Sequence, residues 1–257
     1  LPYLLALFGI FLIPFQPALS QVNESHLHFL HGAIVRGDTS KNQLALVLTG
    51  DEYADGGKHI ARVLSDEEIL ASFFLTGKFY RNPEFESILQ KLRKDGHYLG
   101  AHSDRHLLYC SWEDRDSLLL TRTEFQEDLQ ENYRAMQAFG IAKEDAPYFL
   151  PPYEWYNDSI AAWTREMGLR LINFTHGTLS HTDYTIPGTR AYRSSEEIYR
   201  SILDYERSEH AGLRGFILLV HIGCASERTD KFYLHLEELL EELKSRGYGF
   251  KRIDELL

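Results

Sequence analysis

Short, almost wholly apolar runs alternate along this chain with amphipathic stretches, and the alternation predicts its elements. Strands are expected over 32–36 and 44–49, joined by the turn-rich segment 37–42. A helix over 58–68 and a buried strand over 69–75 follow. Pro83 opens an amphipathic helix in which Phe85, Ile88, Leu89 and Leu92 recur at helical spacing, and Asp95-Gly96 stops it. Next come a strand over 98–101, a helix over 124–139 closed by Gly140, and a strand over 148–150 running into Pro151-Pro152. A helix over 158–167 and a strand over 169–174 continue the pattern, and Ser194 with Glu197 makes a capping box for a helix reaching about residue 207. A strand over 216–220, a helix over 230–246 and a strand over 248–253 complete the order, with no internal repeat. Apolar strands alternating with helices predict an α/β fold with a parallel sheet covered on its outer face. Six to eight such units close into a (β/α) barrel, whose chemistry sits at the C-terminal ends of the strands.

Composition places this fold in a compartment. Residues 1–20 carry no charged side chain and end in Ala18-Leu19-Ser20, a small-x-small pattern that suits signal-peptidase cleavage. They read as a trimmed signal peptide, leaving residues 21–257 as one catalytic domain and the product secreted, periplasmic or in the cell envelope. No Cys follows the apolar run, so a lipobox anchor is not expected, nor is stable membrane insertion after cleavage. The net charge of −11 argues against nucleic acid and anionic membrane as partners. Cys110 and Cys224 leave a disulfide and two free thiols equally open, and their spacing is not that of a zinc site. His97, His59, His210 and His235 read as surface residues.

Polar residues gather where the strands should end. Asp51-Glu52 follows the first long apolar run, and His102-Ser103-Asp104-Arg105-His106 follows the strand over 98–101. Pro151-Pro152-Tyr153-Glu154-Trp155 follows 148–150, and His221 follows 216–220. Each is unremarkable alone: an i,i+4 His pair occurs by chance, an acid pair is usually a solvated turn, and a lone His is commonly a core residue. Four apolar strands each releasing a His or carboxylate at the same end are not explained by packing.

These residues resemble the polysaccharide deacetylases, carbohydrate esterase family 4, over 32–253. Thr49-Gly50-Asp51-Glu52 is similar to that family's Thr-Phe-Asp-Asp motif, and His102 to His106 to its His-Ser/Thr-x-x-His motif. Phe149 to Tyr153 resembles its Arg-x-Pro-Tyr stretch, Thr182-Asp183-Tyr184 its Asp-Trp pair, and Leu218 to His221 its Leu-x-x-His motif. The resemblance implies a distorted barrel of about seven parallel strands and hydrolysis of N- or O-acetyl groups on carbohydrate. It implies one divalent ion on Glu52, His102 and His106, zinc by default with cobalt or nickel suiting the same ligands. Asp51 would be the general base, His221 the general acid and Asp183 the acid that orients it. Pro152, Tyr153 and Trp155 would meet the substrate, and Tyr156 and Tyr184 are further candidates for stacking on sugar rings.

Three departures qualify the match. Glu52 stands for an Asp, Gly50 for a Phe, and Leu150 for the Arg that holds the base. A carbohydrate-binding protein whose chemistry has decayed is therefore the alternative, with a hydrolase of another non-peptide C–N bond behind it. If Leu150 leaves the base without its cation, Arg105 or Arg190 could stand in from another strand.

Overall fold

A computed structural model describes residues 24–257. The expected leader over 1–20 lies outside the described residues. The chain opens with an antiparallel hairpin, β1 (His28–Leu30) and β2 (Ala33–Arg36). β3 (Gln43–Gly50), α1 (Gly57–Asp66), β4 (Ser72–Leu75), α2 (Gly77–Arg81), α3 (Glu86–Lys94) and β5 (Tyr98–Ala101) follow. Then come α4 (Arg122–Gln137), β6 (Tyr148–Phe149), α5 (Asp158–Glu166), β7 (Arg170–Leu171) and α6 (Ser195–Ser208). β8 (Ile217–His221), α7 (Leu236–Ser245), β9 (Gly249–Phe250) and α8 (Ile253–Leu256) end it.

Seven strands form one sheet in the order β7-β6-β5-β4-β3-β8, with β9 also on β3, and every pairing is parallel. β2 spans the gap between the two edges. Ile34 bridges Ile172 beyond β7, and Arg36 bridges Phe216 just before β8. The curled sheet is thereby turned into the expected distorted barrel. Leu44 through Leu48 of β3 are fully buried, because both faces of this strand, paired with β4, β8 and β9, are covered. Burial of each large side chain contributes about 1.5–3 kcal/mol.

The strand ends are level. Gly50 pairs with Leu75, Leu75 with Ala101 and Ala101 with Phe149, while Thr49 pairs with His221. Asp51, His102 and Leu150 therefore leave the barrel at one rim. Several expected elements differ: the strand expected over 169–174 is Arg170–Leu171 alone, and the helix expected from Pro83 starts as a 3-10 turn at Pro83–Phe85 before α3. The helix expected from residue 230 begins at Leu236 after a 3-10 turn at Phe232–His235. Asp230 instead accepts hydrogen bonds from the Ser195 N–H (2.6 Å) and the Tyr192 hydroxyl (3.2 Å). The strand expected over 248–253 is only two residues long, and α8 replaces its end. Both cysteines are free and buried. His97 is buried as well, and its Nδ1 accepts the Ala71 N–H at 3.2 Å.

Candidate active site

A cleft of about 230 Å³ opens at the rim where these strands end, lined in part by Asp51, Glu52, His102, His106, Tyr153, Glu154, Tyr184 and His221. Seven of the residues singled out from sequence, Asp51, Glu52, His102, His106, Tyr153, Tyr184 and His221, thus meet in one place. Asp183 stands behind His221. Pro152 is buried and Trp155 half-buried, and neither lines the cleft.

The two histidines are held by α4. Asn132 accepts the His102 N–H at 2.8 Å, and its amide donates to the Leu75 carbonyl at 3.3 Å. One turn earlier the buried Asp128 carboxylate accepts from Ser103 Oγ at 2.6 Å, from the N–H groups of Asp104 and Arg105, and from Arg105 Nε. These bonds fix a turn in which Ser103 (φ 73°) and His106 (φ 57°) adopt left-handed backbone, a cost of about 1–2 kcal/mol each. The imidazoles then face one another with ring centroids 5.1 Å apart. Burial holds the His102 pKa well below its ordinary value; burial also lowers His106, to about 4, against the opposing charge of Asp51. Both rings are therefore neutral at neutral pH. The Leu150 carbonyl lies 2.8 Å from His102 Nδ1, which takes the proton as donor and leaves the Nε2 lone pair free.

Those atoms test the fit of a divalent ion. Two neutral imidazoles and a carboxylate are a suitable donor set. Glu52 is exposed at the rim with no hydrogen bond or ion pair to other described residues. Among the described residues no three His, Cys, Asp or Glu side chains stand close enough to hold an ion as they are. The donor types present fit such an ion, with Glu52 the acid of the Asp51-Glu52 pair whose side chain nothing restrains.

Asp51 is anchored instead. Thr76 Oγ1 donates to it at 2.8 Å, and Lys78 Nζ lies 3.6 Å away. Neither Arg105 nor Arg190 fills this role: Arg105 pairs with Asp128, and Arg190 is exposed. The Leu150 side chain is fully buried, and its backbone carbonyl, not its side chain, serves the site. Gly50 is also explained, since a Cβ there would lie 2.7 Å from Ile222 Cγ2 and 2.9 Å from Leu75 Cδ2. Leu75, Phe79 and Ile222 occupy the space of a larger residue.

His221 is gripped twice by Asp183, at 2.9 Å through its backbone N–H and at 2.6 Å through Nδ1. Burial alone would lower the His221 pKa, but the charge of Asp183 and its hydrogen bond overcome that and raise it. Tyr184 lies against the ring at 4.5 Å.

The wall after β6 takes an unusual path. Tyr153 (φ 58°) and Glu154 (φ 53°) are consecutive left-handed residues, an arrangement that brings both to the cleft. Asn173 secures the turn by donating to the Glu154 carbonyl at 3.0 Å. Burial pushes the Glu154 carboxyl up to about 7. Tyr156 is buried and its hydroxyl donates to the Leu30 carbonyl, so its ring is closed to a ligand. Asp128, Asn132 and Lys78 were not singled out from sequence, and Glu154 was named only within the polar segment after 148–150, with no role of its own. A signal existed for the first two, which interrupt the buried stripe of Phe125, Leu129, Tyr133 and Met136 on α4.

A parallel barrel that gathers histidines and carboxylates at its C-terminal rim has the architecture of a hydrolase. Residues 38–172 match the polysaccharide deacetylase family. The chain belongs to that family, and the hydrolysis of acetylated carbohydrate is the activity the membership supports. It is 25% identical to the peptidoglycan-N-acetylglucosamine deacetylase of Bacillus cereus, over 87% of this chain and 92% of that protein. The structure of PdaA from Bacillus subtilis, a family 4 carbohydrate esterase, superposes with a TM-score of 0.67 at 20% identity, covering 88% of this chain and 85% of that one. A family 4 pseudoenzyme from Bacillus anthracis superposes equally well, with a TM-score of 0.67 at 19% identity over 89% of this chain and 69% of that one. At these identities the structural likeness carries the fold alone. Among the described residues no helix is long and apolar enough to cross a membrane.

Proposed function

We propose that this chain is a metal-dependent deacetylase, exported behind a signal peptide over 1–20, that removes N- or O-acetyl groups from a cell-wall or related polysaccharide. The observation that carries the proposal is the Asp183–His221 pair facing the anchored Asp51 and the two neutral histidines across one cleft. Glu52, His102 and His106 would hold the ion, zinc by default. When bound, that ion supplies positive charge to activate water and to stabilise the oxyanion that develops on the acetyl carbonyl.

The chain's own groups do the proton work. Asp51, oriented by Thr76 and Lys78, accepts a proton from the attacking water. His221 donates from Nε2 to the departing amine or alcohol. Asp183 holds the Nδ1–H, which fixes the tautomer and stabilises the charged ring. Tyr153 and Tyr184 border the sugar. Acetate release from a panel of acetylated glycans, with and without chelator and with added zinc, cobalt or nickel, tests this reading. Product without metal, or none from any glycan, defeats it. Formate or ammonia from non-glycan amides in place of acetate would point to another C–N bond.

The second reading, a decayed carbohydrate-binding protein, is favoured by the pseudoenzyme among the structural neighbours and by Leu150. Against it stands the placement of Lys78, which supplies a cation beside Asp51 from another element. A binder has no use for that arrangement.

A further inference from the structure

Exposed aromatic side chains are not scattered over this surface. Among the described residues they are Phe29, Tyr53, Trp112, Tyr153 and Tyr184. Three of the five line the cleft, and a fourth, Trp112, adjoins it through Tyr153 at 5.7 Å and 82° between rings. Tyr153 in turn touches His106 at 4.5 Å. One aromatic path therefore leads from the paired histidines out to Trp112.

Trp112 is held in place but left open. It sits on a tight loop closed by the Cys110–Leu118 bridge and by hydrogen bonds from Ser111 N to Ser117 O and from Leu119 N to Tyr109 O, both 2.9 Å. Trp155 backs it at 5.4 Å and 35°. Trp155 is itself fixed, since its Nε1 donates to the Ser111 carbonyl at 3.1 Å and Arg115 lies 3.5 Å over its ring. Trp155 thus acts as a support, and Trp112 keeps 58% of its surface exposed. A rigid, braced and open indole beside a catalytic cleft suits the C–H face of a sugar ring. The net charge of −11 disfavours a polyanionic glycan.

We propose that Trp112, backed by Trp155 and set against Tyr153, is a stacking subsite for the sugar next to the one being deacetylated, so that the substrate is a neutral oligosaccharide or polysaccharide and not a single acetylated sugar. The proposal rests on the deacetylase reading of the cleft. Its test uses the metal-loaded protein on acetylated chito- and xylo-oligosaccharides of one to five units. The quantity read is the ratio of kcat/KM for the tetramer to that for the monomer. It should exceed about tenfold in the wild type, fall towards one in Trp112→Ala and largely survive in Trp112→Phe. A ratio unchanged in Trp112→Ala overturns the proposal. The three tryptophans also allow 5-fluorotryptophan labelling, with the Trp112 resonance assigned from Trp112→Phe. The tetramer should move that resonance more than the monomer does. Acetate released with no dependence on length, and no movement of the resonance, overturns the subsite and leaves the deacetylase reading standing. Movement with the tetramer, but no acetate from any glycan, keeps the subsite and overturns the deacetylase reading.

Discussion

Lys78 Nζ lies 3.6 Å from the Asp51 carboxylate, so the cation beside the proposed base comes from α2 and not from the residue after β6. Lys78 is nearly half exposed, and such a pair is worth about 0.2–1 kcal/mol. Thr76 is the firmer tether, because it is buried, donates at 2.8 Å and also caps α2 by accepting the Phe79 N–H. Lys78→Met should therefore lower kcat by no more than about fivefold, and Thr76→Val by about tenfold or more. Steady-state kinetics would reveal the reverse order if charge mattered more than orientation. Leu150→Arg should not improve the enzyme. It buries an unpaired guanidinium and should cost several kcal/mol, seen as a large fall in Tm.

Metal binding separates the two acids. The double variant His102→Ala with His106→Ala should contain no ion by elemental analysis. Glu52→Gln should lower occupancy more than Asp51→Asn, since the Glu52 side chain is unrestrained while Asp51 is tied to Thr76 and Lys78. The opposite order would exchange their proposed roles.

The carboxylate of Asp128 organises the turn that carries both histidines. Asp128→Ala would strand a buried hydroxyl and two N–H groups, at about 3–5 kcal/mol. Metal affinity should fall about 10- to 100-fold, as for other groups that orient ligands. Asp128→Asn should lose less in both measures. Unfolding curves and metal titration on the same samples would show whether stability falls while affinity holds, a result that would remove the orienting role.

Asp183 raises the His221 pKa, and the direction fixes the pH response. A raised histidine contributes stability that is complete below its unfolded value of about 6.5 and is lost as pH rises through the folded value. Asp183→Asn should thus cost more stability at pH 5.5 than at pH 9. In catalysis the proton on His221 is lost at lower pH in the variant, so the basic limb of the pH–rate profile should move down. Turnover should drop about 10²- to 10⁴-fold. A basic limb that stays in place would assign it to a group other than His221.

The barrel and the strand-end motifs were legible because their signals are local. Leu44 through Leu48 can only be a buried strand, and a His or acid directly after such a run has one place to go. Asp183 sits in an irregular loop and was found only through family resemblance; its bonds to His221 join residues 38 apart in sequence. Lys78 gave no local signal, because its role depends on how α2 packs over the end of β3. Trp112 was hidden similarly, behind Trp155, whose motif position suggested contact with substrate although Arg115 and Trp112 lie against its ring. The start of α7 was misjudged because Asp230 is drawn into bonds with Ser195 and Tyr192.

Glu154 breaks a local rule, and its consequences can be measured. Its backbone is left-handed, and its carboxyl makes no hydrogen bond or ion pair with other described residues. Burial raises the carboxyl from its ordinary 4.5 to about 7, with the charge of His221 opposing and that of Asp183 adding. Between those values the folded protein binds a proton that the unfolded chain has released, so stability falls as pH rises through that window. The loss above pH 7 is at most about 3 kcal/mol. Glu154→Gln keeps the shape but not the charge. It should be more stable than wild type at pH 8 by about 1–3 kcal/mol and no different at pH 4. Glu154→Gly removes the same carboxyl and also relieves the left-handed backbone, so it should exceed Glu154→Gln by about 1 kcal/mol at both pH values. In kinetics, the carboxylate above pH 7 helps His221 keep its proton, so Glu154→Gln should lower the basic limb and leave rates below pH 6 nearly unchanged. Urea unfolding of both variants at pH 4 and pH 8 decides the matter. Equal effects of Glu154→Gln at the two pH values would mean that the carboxyl ionises as it does in water and has no hold on His221.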